Sequence, residues 1–281
     1  MFLAGIKKEL KLFTRGFRLW GILIAIVGIA LMYPGMYKLI EVMADMLKAV
    51  SAEAGVSADE AIGSITGMLD GLSSLYGGSL ANVGFFTGIA SFTAEGFLIM
   101  ALLLMATAGG EQKKRSVIMP NCAGLTPAGY VVPKFVMYPA LIGVLGFIGA
   151  ILTALFSQLM FGGIIPYENI AFSGGCVAFY LVFMISVYFL FGIATGRPGI
   201  GVVIIYFGSA LLPTLLGAFD INKYNPFALQ SMIMTSPADA DMQNFWLSIV
   251  VTIVLTVICC LLSLIITTVR RIDNSEGVAN L

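Results

Sequence analysis

A chain of 281 residues that is 59% hydrophobic and only 11% charged cannot clothe a soluble surface of its size in polar groups. Its 15 Lys+Arg balance 15 Asp+Glu, which argues against nucleic acid as a partner, and the lack of histidine removes the commonest metal ligand and general base. Several apolar runs exceed the roughly 18 residues that mark a membrane span, so the expected fold class is an all-α polytopic membrane protein, one transmembrane domain over 1–281.

Residues 1–16 interleave Lys7, Lys8, Lys11 and Arg15 with Phe2, Leu3, Ile6, Leu10 and Phe13. At helical spacing these make one basic and one apolar face, as expected of a helix lying in the membrane interface among lipids. No small-residue cleavage site follows the first apolar run, so residues 17–39 are expected to remain as span one, kinked at Pro34. Residues 40–85 form a helical loop. Met43, Leu47 and Val50 at i, i+4 and i+7 let span one continue past the membrane, and Ser57 with Glu60 reads as a capping box. A second amphipathic helix carries Ile62, Ile65, Leu69, Leu72 and Leu75 on one side and ends at Tyr76-Gly77-Gly78.

Span two is expected over 86–108, span three over 135–161, span four over 174–195, span five over 200–219 and span six over 246–269. Between spans two and three lies an elbow, 109–134, with Glu111, Gln112, Lys113, Lys114 and Arg115 in a row and Pro120, Pro127 and Pro133 expected to interrupt any continuous helix. Thr126-Pro127 has the form of an N-cap with proline at N1, and Lys134 marks re-entry into the membrane. Such a polar segment cannot lie in hydrocarbon. The Arg197-Pro198-Gly199 segment is a tight turn, and the tail after Arg271 is expected to be disordered.

Lysine and arginine set the orientation. With the N-terminus inside, Lys7, Lys8, Lys11, Arg15, Arg18, Lys113, Lys114, Arg115, Lys134, Arg197, Arg270 and Arg271 are cytoplasmic, leaving Lys38, Lys48 and Lys223 outside, 12 against 3 of the 15. Six spans return the C-terminus to the cytoplasm and place the helices of 40–85 outside the cell.

The sequence has no G-x-x-x-x-G-K-[ST] loop, no H-E-x-x-H and no G-x-S-x-G elbow, so no catalytic site of its own is expected. Cys122, Cys176, Cys259 and Cys260 read as small buried hydrophobes. Gly143, Gly146 and Gly149 recur every third residue and Gly192-x-x-x-Gly196 closes span four, stripes that let helices approach closely, either within one subunit, the favoured reading, or across a dimer contact. Glu95 is the carboxylate inside a span: either it faces an aqueous or substrate-facing cavity, or it bonds a neighbouring helix.

A basic amphipathic N-terminal helix, six spans, and an inner elbow carrying Glu111, Arg115, Ser116, Thr126, Pro127 and then Lys134 together resemble the ABC-2 type permeases of ABC transporters. Asn225-Pro226-Phe227 before span six resembles that family's outer loop, while Ala128-Gly129-Tyr130 stand where many members carry an arginine after the elbow proline. The resemblance covers the whole chain as topology. It implies an exporter of hydrophobic or amphipathic compounds in a bacterial plasma membrane, with a separate pair of cytoplasmic ATPase subunits that bind ATP and Mg and a second permease subunit facing this one. It implies that Lys7, Lys8, Lys11, Glu111, Gln112, Lys113, Lys114, Arg115, Thr126, Pro127 and Arg197 contact the ATPase. Spans two and five would line the pathway, with Glu95, Leu102, Tyr206 and Ser209 toward substrate. The alternative from the residues alone is a non-transporting anchor or sensor that binds a ligand or partner through its outer helices.

Overall fold

The structure, a computed structural model, describes residues 2–54, 59–110, 126–218 and 225–279. Six helices among them are long and apolar enough to cross a membrane, which makes the chain a multi-pass membrane protein. An N-terminal helix, Phe2–Arg15, precedes span one, Phe17–Ala54, and an outer helix, Asp59–Leu75, follows it. Span two is Leu80–Leu103, built of two α-helical pieces around a π-helical turn at Phe92–Gly96, and a kinked turn follows at Ala106–Gly110, where Ala108 and Gly109 leave helical geometry. Span three is Pro127–Phe161, span four Tyr167–Thr195 and span five Pro198–Ala218. A short helix, Pro226–Met232, leads to the helix of span six, Met242–Ala279.

The spans keep the expected order, but several begin earlier than the apolar runs indicate. Span two starts at Leu80, where Ser79 accepts the Ala81 amide at 3.2 Å and supplies the N-cap. Span three starts at Pro127 and runs through Pro133 without a break. Pro133, the seventh residue of the helix, and Pro139 both lie inside it, so the expected interruption does not occur, although each proline withholds one i→i−4 hydrogen bond. Span four takes in Tyr167, Glu168 and Asn169 as its first turn. Span six does not give way to an irregular tail: with no proline after Arg271 the helix propagates to Ala279.

Span one does continue as one helix to Ala54, but its inward side there is Tyr37 and Ala44, while Met43 and Val50 are exposed. Leu69 of the outer helix meets Tyr37 and Val83, flanked by Ile65 and Leu72, whereas Leu75 is 75% exposed because the chain has already turned at Gly77 and Gly78, both at positive φ. Ser57 of the expected capping box lies outside the described residues.

Spans three and four form the centre. Spans one and two pack on three, span six on three and four, and span five on span four and on Phe97–Leu103 of span two. Lipid removes the hydrophobic drive between helices, so close van der Waals fit must hold them. Small residues provide it within the one chain. A methyl group at Gly146 would stand 2.6 Å from Leu181 Cδ1, one at Gly143 2.8 Å from Val182 Cγ2, and one at Gly149 2.7 Å from the Phe92 ring. Cys176 and Cys259 are buried, as the apolar reading requires.

Thr126 caps span three, its hydroxyl accepting the Gly129 amide at 3.1 Å, with Pro127 at the first helical position. Thr126→Ala is expected to lower unfolding stability by about 1 kcal/mol and Thr126→Ser to retain it. Thermal melts in detergent would check both.

Candidate functional site

Two features join sequence to function: a polar joint where the N-terminal helix, span two and span three meet, and a carboxylate on span two.

The joint is built from residues far apart in the chain. Gly5 lies so close to span three that a methyl there would stand 2.6 Å from Pro133 Cγ. That approach turns Glu9 and Phe13, one helical turn apart, into the span-three surface, where both are buried. Tyr138 donates to Glu9 Oε2 at 3.1 Å, and its ring lies edge-on to Phe13 and stacks on Phe189 of span four. Lys134, fully buried, donates to the Thr107 carbonyl at 2.8 Å, stands 4.0 Å from Glu9 Oε1 and sits 4.5 Å above the Tyr130 ring. A buried cation and anion hold here because each has hydrogen-bond partners.

Lys134, expected to mark re-entry into the membrane, lies two turns inside the helix of span three and is fully buried. Its hydrocarbon stem is enclosed, and its charge serves the joint rather than the lipid interface. Glu9 belongs to the site and was missing from the sequence expectations. The signal was an acid at i−4 to Phe13 within an otherwise basic helix.

Thr107 lies in the kinked turn at Ala106–Gly110, which also abuts span four. Gly109 has φ +134°, open to glycine, and the Gly192 backbone comes so close that a side chain on either glycine would overlap the other segment's carbonyl. Arg270, toward the C-terminal end of the span-six helix, donates Nη1 to the Ile193 carbonyl at 2.9 Å and Nη2 to the Ala194 carbonyl, satisfying C-terminal carbonyls of span four. The N-terminal helix and spans two, three, four and six are thus tied together at this one end of the bundle.

Lys7, Lys8 and Lys11 are exposed on the N-terminal helix, as is Arg197 on its turn. Thr126 is exposed and Pro127 half-buried at the start of span three. Glu111, Gln112, Lys113, Lys114, Arg115 and Ser116 lie outside the described residues, as does Cys122. The N-terminal helix also shows lipid-type surface, with Leu3 79% exposed and Leu10 and Leu12 open.

Glu95 lies in the π-helical turn of span two and is exposed on the outside of the bundle. The neighbouring Gly96 abuts Ile29, eleven residues from Arg18 and nine from Lys38, the charges that bracket span one. At 1.5 Å per residue the carboxylate's backbone is about 17 Å from one charged level and about 14 Å from the other, near mid-membrane. Tyr33 of span one donates to Glu95 Oε1 at 3.5 Å. Leu102, two turns on, is 50% exposed on the same face. Tyr206 is exposed and Ser209 half-buried on span five, where Ser209 donates to the Tyr206 carbonyl at 2.8 Å. Glu95 and Leu102 thus share a stripe, with span one on one side and span five along the other.

Fold and site define a multi-pass α-helical membrane protein whose helices are locked at one end and which carries an acid in the middle of the membrane. Comparisons with protein-family models, curated proteins and solved structures find no match.

Proposed function

We propose that this chain is the membrane subunit of an ATP-driven exporter, an ABC-2 type permease, oriented with both termini in the cytoplasm of a bacterial cell and paired with a second permease subunit. Two cytoplasmic ATPase subunits would supply ATP and Mg chemistry from outside this chain. The substrate would be hydrophobic or amphipathic, since the span surfaces offer apolar walls and few charges.

The observation that carries the reading is the buried joint. Lys134 holds the Thr107 carbonyl and stands beside Glu9, and Tyr138 bonds Glu9 directly. A push on the exposed basic face of the N-terminal helix is then delivered to the ends of spans two and three together. The Gly109–Gly192 contact passes it to span four, and Arg270 to span six. A mere membrane anchor has no need of such a linkage, whereas a permease driven from one face needs its helices to move as coupled bodies.

Charge reversal in the elbow tests the reading. Lys113→Glu with Arg115→Glu is expected to cut ATPase association about tenfold or more, equivalent to roughly 1.4 kcal/mol, and to abolish drug- or lipid-stimulated ATP hydrolysis at unchanged melting temperature. Undiminished association of the double variant would contradict docking at the elbow.

A further inference from the structure

We propose that Glu95 and Tyr33 form the recognition site for a lipophilic monovalent cation, a ligand with one positive charge and an apolar body about 10 Å long. The proposal rests on the permease reading only for its claim that this ligand is the cargo. Binding itself is tested independently.

The argument starts from cost. A carboxylate facing acyl chains near mid-membrane is expensive unless it is partnered. Among the described residues its hydrogen-bond partner is the Tyr33 hydroxyl, at a long 3.5 Å, which leaves most of the acceptor capacity of an ionised carboxylate open. The helix also departs from α geometry at this residue. A π turn inserts one extra residue, a device that recurs at functional sites.

The chain brings no cation of its own to this level. Between Lys48 and Lys113 the sequence has none, span one has none between Arg18 and Lys38, and Lys134 is enclosed in the joint. A second copy of the chain is equally bare at that depth, so a permease partner of the same sequence cannot neutralise Glu95. A cation that pairs with the ionised carboxylate therefore comes from outside the chain.

The surroundings say what it arrives on. Below the carboxylate the span-two stripe continues with Leu98 and Ile99, half-buried, and Leu102, exposed. Glu95 to Leu102 is seven residues, about 10 Å of apolar floor. Span one, through Tyr33 at one end and Gly21 against Leu103 at the other, makes one wall. Span five, packed along Phe97–Leu103 with Gly199 against Met105, makes the second. An apolar groove with one acid at its end selects amphipathic cations over neutral or anionic compounds of the same size. The half-exposed Tyr33 ring adds a face for the cation.

The test uses full-length protein in zwitterionic lipid nanodiscs without nucleotide, with radiolabelled tetraphenylphosphonium as probe and tetraphenylborate as its size-matched anion, against empty nanodiscs. Saturable binding of the cation and none of the borate is expected. Glu95→Gln should weaken cation binding about tenfold or more, a loss equivalent to ~1.4 kcal/mol, while Glu95→Asp and Tyr33→Phe weaken it only a few-fold. Equal binding of cation and anion by the wild type, which needs no variant to fold, overturns the proposal, as does unchanged cation affinity in Glu95→Gln. So does a Glu95→Gln variant that turns a dimer into monomers, because the carboxylate would then seal a contact between copies. Glu95-dependent cation binding by a protein that recruits no ATPase supports the site and removes the exporter reading. Charge-blind binding by a protein that does recruit one removes the site and leaves the exporter.

Discussion

Replacing Lys134 with methionine is expected to destabilise the protein by about 3–5 kcal/mol, the range for removing one member of a buried charge pair. The variant keeps the packing volume of the side-chain stem but leaves the Glu9 carboxylate, only 3% exposed, with the half-exposed Lys8 at 3.9 Å as its remaining cation, and the Thr107 carbonyl without the Lys134 donor. Glu9→Gln in the same background should recover part of the loss, because a neutral amide can still accept from Tyr138 and no charge is stranded. The two single variants and the double variant form a cycle whose coupling term reports the joint itself. Size-exclusion melts in one detergent would measure it. A Lys134→Met loss below about 0.5 kcal/mol, the scale of ordinary surface substitutions, would mean that the joint is not closed in the membrane. If the joint transmits force, a Lys134→Met protein that survives at low temperature should also release its N-terminal helix to protease.

The second large effect is at the glycine contact. Gly192→Ala would drive its methyl into the Ala108 carbonyl, a clash with backbone that no rotamer can relieve. Span four would have to move off the Ala106–Gly110 turn, and the cost is expected to reach the upper end of the overpacking range, about 3 kcal/mol. Gly35→Ala in span one is the control: no atom lies within 4 Å of the added methyl, and helix propensity favours alanine by up to ~1 kcal/mol. Expression yield and melting temperature of the two alanine variants should diverge sharply. Equal behaviour would deny that spans two and four touch through Gly109 and Gly192.

The number, order and helical nature of the spans were legible because hydropathy is a local property, summed over twenty residues at a time. Span starts were less so. Leu80–Phe85 follows a polar turn, and Tyr167–Asn169 puts polar side chains into a first helical turn, where solvent or headgroups satisfy them; neither stretch stands out by composition. Thr126-Pro127 was readable as a cap because capping is local chemistry, and the structure bears it out. Lys134 was seen but not its burial, since one residue that shapes its environment, Glu9, is 125 positions earlier in the sequence. The π turn under Glu95 leaves no mark in the sequence at all. At this turn Phe92 packs against Gly149 and Gly96 against Ile29, pairs that no single window contains.

The central claim is that an ATPase drives this bundle from the joint's side. The most direct measurement is isolation of the tagged full-length chain from its native cell in mild detergent, followed by mass spectrometry of what accompanies it. A soluble protein bearing a G-x-x-x-x-G-K-[ST] loop, in near-stoichiometric amount, together with a second permease subunit, is the predicted result. If no such ATPase accompanies the chain even after crosslinking, the exporter account is contradicted, and the outer helix at Asp59–Leu75 becomes the surface to probe for a binding partner.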